Sequence, residues 1–137
     1  MTKQHSDLAE TIIGLINADI ELRDQLIQCG KLSGGYNSTM ARLHNKNEQI
    51  LNEIIDKIGY PTTEKVGKLA YEAAWMVIQH AIGQPVFMKK CAKLLEELHD
   101  DREHKIYLAY LTDRIAVFEN RPQLYGTLNL IGTKMGH

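Results

Sequence analysis

Apolar residues recur every three to four positions through most of this chain, the spacing of helices that bury one face. Leu8, Ile12, Leu15, Ile16, Ile20 and Leu26 form the first stripe, with Ser6 placed to cap its start and Cys29-Gly30 at its end. Glu10, Asn17, Asp19 and Glu21 interrupt that pattern. Residues 31–38 read as a loop, because Gly34-Gly35 breaks any regular element. Asn37 or Ser38 opens a second helix carrying Met40, Leu43, Ile50, Leu51, Ile54, Ile55 and Ile58, which Gly59 and Pro61 close. Thr62 or Thr63 starts a third that reaches about residue 81. After Gly83, Pro85 suits the first position of a fourth helix, predicted to bury Val86, Phe87, Cys91, Leu94, Leu95 and Leu98. A polar connection over 99–104 leads to a fifth helix, over about 103–113.

Beyond Asp113 the pattern changes. Two β-leaning runs, 115–118 and 123–130, flank the polar turn Glu119-Asn-Arg-Pro122 and suggest a hairpin, which Gly126 and Pro122 weaken. The expected fold is mainly α: about five helices in a compact bundle with a C-terminal β-hairpin or extended segment.

Composition narrows the classes without choosing among them. At 137 residues, with 44% hydrophobic and 24% charged positions, residues 1–137 fit a single domain that needs no disulfide to form a core. Sixteen Lys and Arg balance 17 Asp and Glu, and no basic run offers a phosphate footprint, so nucleic acid is not an expected partner. The start lacks the unbroken apolar stretch of a signal peptide, and no run of about 20 apolar residues predicts a membrane span. A cytoplasmic setting follows as the expectation, with Cys29 and Cys91 as reduced thiols.

The candidate chemistry lies where polar residues fall on buried faces. On the third helix Val66, Ala70, Ala73, Val77 and His80 share one stripe, with Trp75 and Gln79 near the opposite side. A buried imidazole needs a partner, since an unsatisfied polar group costs about 1–3 kcal/mol. It serves either as a structural group bonded to a backbone carbonyl or as a base near neutral pH. Asp113 ends the fifth helix on the side of Ile106, Ala109 and Tyr110, followed by Arg114. Asp113 and Arg114 read either as a pair sealing a helix end or as a carboxylate orienting His80 beside a guanidinium that receives an anion. If extended, Gln123, Tyr125 and Thr127 share one face, lining a ligand or lying on the wet side of an edge hairpin. His44 with Glu48, and Glu96 with Asp100, sit one turn apart and read as solvated faces, as do His99 and His104. Cys91 reads as core. No metal or other cofactor is expected; a metal enters only if His80 finds ligands that spacing does not pair.

With the stretches Gly59-Tyr-Pro-Thr62, Val66-Gly67, Ala73-Ala-Trp-Met-Val-Ile-Gln-His80, Ala109-Tyr-Leu-Thr-Asp-Arg114 and Arg121-Pro-Gln-Leu-Tyr-Gly-Thr127, the chain resembles an uncharacterised bacterial family of small domains of unknown function. The resemblance singles out Trp75, Gln79, His80, Asp113, Arg114, Gln123, Tyr125, Gly126 and Thr127. It departs after Thr127, where Leu128 replaces a usual glutamine and the tail is short. It implies a shared site without supplying a reaction.

The combined expectation is an enzyme acting on a small polar or anionic molecule by acid–base chemistry. His80 is the acid or base, Asp113 its orienting partner and Tyr125 a second proton donor. Arg114, Gln123, Thr127, Gln79 and Trp75 bind substrate. The alternative is a non-catalytic ligand- or protein-binding module, of the immunity or adaptor type, in which the same residues form a buried network. Oligomeric state is left open.

Overall fold

The computed structural model describes residues 5–30, 38–81, 83–98 and 102–126. Among them are six helices: α1 (Ser6–Gln28), α2 (Ser38–Ile58), α3 (Thr63–Val66), α4 (Lys68–His80), α5 (Pro85–Glu97) and α6 (Arg102–Phe118). The described residues contain no strand. None of their helices is long and apolar enough to cross a membrane. The loop over 31–37, the connection over 99–101, Thr127 and the second arm of the expected hairpin beyond residue 126 lie outside the described residues.

The chain divides into two compact units, Met1–Gln84 and Pro85–His137. In the first, α1 packs on α2, α3 and α4, and α2 packs on α4. The buried stripe of α1 is Ala9, Ile12, Leu15, Asp19 and Leu26. That of α2 runs Met40, His44, Asn47, Glu48, Leu51, Ile54 and Ile55. Helix α4 is covered over most of its circumference, by way of Ala70, Tyr71, Ala73, Ala74, Trp75, Val77 and Ile78. Its alanines leave room for neighbouring backbones, and Trp75, placed by the helical wheel away from the main stripe, is buried all the same.

Two glycines set the turns that deliver these helices. The expected third helix is broken by Gly67, whose φ of 85° and ψ of 166° belong to a region essentially reserved for glycine. The four-residue α3 therefore precedes α4 as a separate turn. Gly59, at φ 78°, ends α2 in the left-handed conformation of a helix C-cap. Lys65 Nζ donates to the carbonyls of Ile58 and Tyr60 there, satisfying the helix end. Tyr60, Pro61 and Thr62 bury themselves immediately after.

In the second unit α5 packs on α6. Phe87, Met88, Cys91 and Leu95 are buried on α5, and Leu111, Asp113, Ile115 and Ala116 on α6. Lys89 pairs with Glu119. The run 115–118, expected as a strand, is the last turn of α6, because Ile115 and Ala116 prolong the buried stripe of Leu111. The helix ends on Asn120, at φ 58°, with the Arg121 amide donating to the Ala116 carbonyl at 2.7 Å. This six-to-one bond is the Schellman termination, which asparagine tolerates.

Several predicted faces are corrected. Ile20 is 53% exposed, Ile106 47% and Val86 80%, so each lies outside the stripe drawn for it. His44, Glu48 and His104, read as solvated, are buried.

A candidate polar centre on three helices

Asp19, His44 and His80 each occupy a position where the helical period calls for an apolar residue. Asp19 follows Leu15 by four positions, His44 follows Met40 by four, and His80 follows Val77 by three. Since α1, α2 and α4 pack on one another, their stripes meet, and the three polar side chains meet with them.

His80 Nδ1 lies 2.6 Å from Asp19 Oδ2. His44 Nε2 approaches the same oxygen at 3.1 Å. The two imidazole rings stand 5.0 Å apart, tilted by 33°. The side chains of Asp19 and His44 are nearly sealed, whereas that of His80 retains 24% of its exposure. One carboxylate oxygen therefore faces two imidazoles, hydrogen-bonded to His80 and in ion-pair range of His44 Nε2, and His80 reaches the surface. Burial alone would raise the Asp19 pKa. The hydrogen bonds and positive character of His44 and His80 outweigh it and hold the carboxyl well below the usual carboxylate range.

The surroundings fix this geometry. Asn47 Nδ2 donates to the Leu15 carbonyl at 3.0 Å, tying α2 to α1 one turn from both Asp19 and His44. Gln84 Nε2 donates to Asn45 Oδ1 at 3.3 Å, holding the chain just beyond α4 against α2. Buried amide contacts of this kind specify how two helices face each other.

Of the residues expected to form a site, His80 is thus joined to the carboxylate of Asp19. Asp113 is wholly buried, and its Oδ1 accepts from the amides of Leu124 and Tyr125, both at 2.9 Å. It folds the segment after α6 back onto that helix. The Arg114 guanidinium lies 5.5 Å from the centroid of the Phe118 ring, one turn on. Its Nε meets no hydrogen-bond partner among the described residues, and burial lowers its pKa. Gln123 is half-buried, while Tyr125 is 56% exposed. Gln79 is half-buried beside Met76, and Trp75 is core.

Sequence reasoning missed Asp19 and His44. The signal is present: both continue an apolar stripe at i+4, and His80 continues one at i+3. Along the sequence alone Asp19 reads as a break in the pattern, and His44 with Glu48 reads as a solvated face.

The fold and centre define a helical protein with a histidine–aspartate–histidine cluster between its first two long helices and α4. Over residues 6–135 the chain matches the family of unknown function DUF6624, and it belongs to that family. Neither a curated protein nor a solved structure matches it.

Proposed function

We propose that the chain is an enzyme performing acid–base chemistry on a small polar or anionic substrate, with Asp19, His44 and His80 as its working groups. The observation that carries this reading is the 2.6 Å contact between a nearly sealed carboxylate and a partly exposed imidazole. Asp19 holds His80 in the tautomer with its proton on Nδ1, leaving Nε2 as the group that exchanges a proton with substrate. His44, on the same carboxylate, steadies the negative charge of Asp19. Asp113, in this reading, orders residues 121–126 rather than orienting the base.

A structural reading is favoured by one observation. Asn47 and the pair Asn45 and Gln84 flank the centre with contacts that only hold helices together. The cluster would then be one more buried network that fixes the packing of a ligand- or protein-binding module.

Acylation by diethyl pyrocarbonate, mapped by mass spectrometry, separates the two. An oriented, reachable His80 reacts at Nε2 faster than free histidine, and Asp19→Asn slows it several-fold while the helical circular dichroism is retained. A His80 that stays unmodified in the folded chain overturns the proposal in favour of the structural network.

A further inference from the structure

We infer that Asp19, His44 and His80 form a binding site for one divalent first-row transition ion of the zinc or ferrous class. This deepens the reading of the centre as a working site and rests on it. The carboxylate oxygen and the two ring nitrogens all lie within 4.8 Å of one another, each delivered by a different helix.

The donor set is the first argument. Two imidazoles and one carboxylate suit zinc, iron, cobalt or manganese, whereas calcium and magnesium prefer oxygen alone. Catalytic zinc sites and ferrous sites both use three protein ligands and keep a position open for water or substrate. Here the centre supplies three, and the exposed side of His80 supplies the approach.

Geometry is the second. Two ligand atoms on a tetrahedral ion bound at about 2.0–2.1 Å stand about 3.3 Å apart. The 2.6 Å gap between His80 Nδ1 and Asp19 Oδ2 is that of atoms sharing a proton, and the 3.1 Å gap from His44 Nε2 is already close to the ligand spacing. An ion there asks His80 to part from Asp19 by a few tenths of an ångström and the two ring nitrogens, now within 4.8 Å, to close toward the same spacing. The ion takes the place of the proton facing Asp19: a neutral imidazole keeps its proton on its other nitrogen and an imidazolium loses one, so binding weakens as the solution is acidified.

The chemistry follows from the open position. A water held there is a stronger acid than bulk water, and an anionic substrate group is drawn to the same charge. With His80 Nδ1 on the ion, Nε2 carries the ring proton, so in the loaded centre that water takes over proton acceptance.

The test uses the full, tag-free chain stripped with a chelator and titrated with Zn²⁺ by calorimetry and with Co²⁺ by visible absorption. One ion per chain is expected, with Co²⁺ bands of a four- or five-coordinate site. His44→Gln, His80→Gln and Asp19→Asn are each expected to weaken binding by about tenfold or more, as even the outer partners of metal ligands commonly do. If a variant fails to fold, the wild type decides. Bound Co²⁺ must broaden the ring signals of His44 and His80 and spare those of His5, about 20 Å from Asp19 along α1. No saturable binding, or equal affinity in the histidine variants, overturns the inference. A His80 reactive toward pyrocarbonate in a chain that binds no ion would remove the metal and leave the acid–base reading in place. Binding by a chain whose metal-free His80 is unreactive would do the reverse.

Discussion

Replacing Asp19 tests how the fold tolerates its own centre. The carboxylate is 3% exposed and faces two imidazoles, of which His44 is nearly sealed and His80 partly open. Asp19→Ala strips the acceptor from His80 and the carboxylate from beside His44. A buried polar group left without its partner costs about 1–3 kcal/mol, and water reaching His80 softens its share. The expected loss is therefore about 2–4 kcal/mol in urea unfolding at pH 7. Asp19→Asn keeps the shape and one acceptor oxygen, so its loss is expected to be about half as large. The pH dependence has a definite sign. The folded-state pKa of Asp19 is depressed, so its contribution is complete above the unfolded value of about 3.9 and fades as pH falls through that value toward the folded one. The gap between wild type and Asp19→Asn should therefore be present at pH 5 and narrow below about pH 4. A gap that stays constant into acid, or an alanine variant within about 0.5 kcal/mol of wild type, would refute the reasoning.

Three other outcomes follow from the packing. Asp113→Ala removes a charged acceptor from the Leu124 and Tyr125 amides and should cost about 2–4 kcal/mol in urea unfolding, with faster amide exchange at both positions. Unchanged exchange there would count against the role given to it. Gly67→Ala should lose about 1–3 kcal/mol in urea unfolding, because its backbone lies where side chains are strained. Leu51→Ala, at a wholly buried position of α2, should lose about 2–5 kcal/mol in the same assay without altering the reactivity of His80.

Helix identity was legible because it rests on local periodicity. α1, α2 and α5 begin and end within a residue or two of the marks left by Ser6, Ser38, Gly59 and Pro85. The break at Gly67 was hidden, since the apolar stripe runs across it unbroken and only the backbone angles reveal the turn. The last turn of α6 was hidden for the opposite reason. Ile115, Ala116, Val117 and Phe118 have strand-like composition, and packing of Ile115 and Ala116 overrode it. Within the centre, His80 was legible because its apolar helix made an inward imidazole conspicuous. Its partners required knowing that α1, α2 and α4 face one another, a non-local fact that spacing along one helix does not contain.

The most direct measurement is the ring ¹⁵N and ¹H NMR spectrum of neutral His80 in the metal-free chain, compared with Asp19→Asn. A proton fixed on Nδ1, shifted downfield by the carboxylate and restored to ordinary exchange in the variant, is the result predicted. A His80 protonated on Nε2, indifferent to residue 19, would contradict the account.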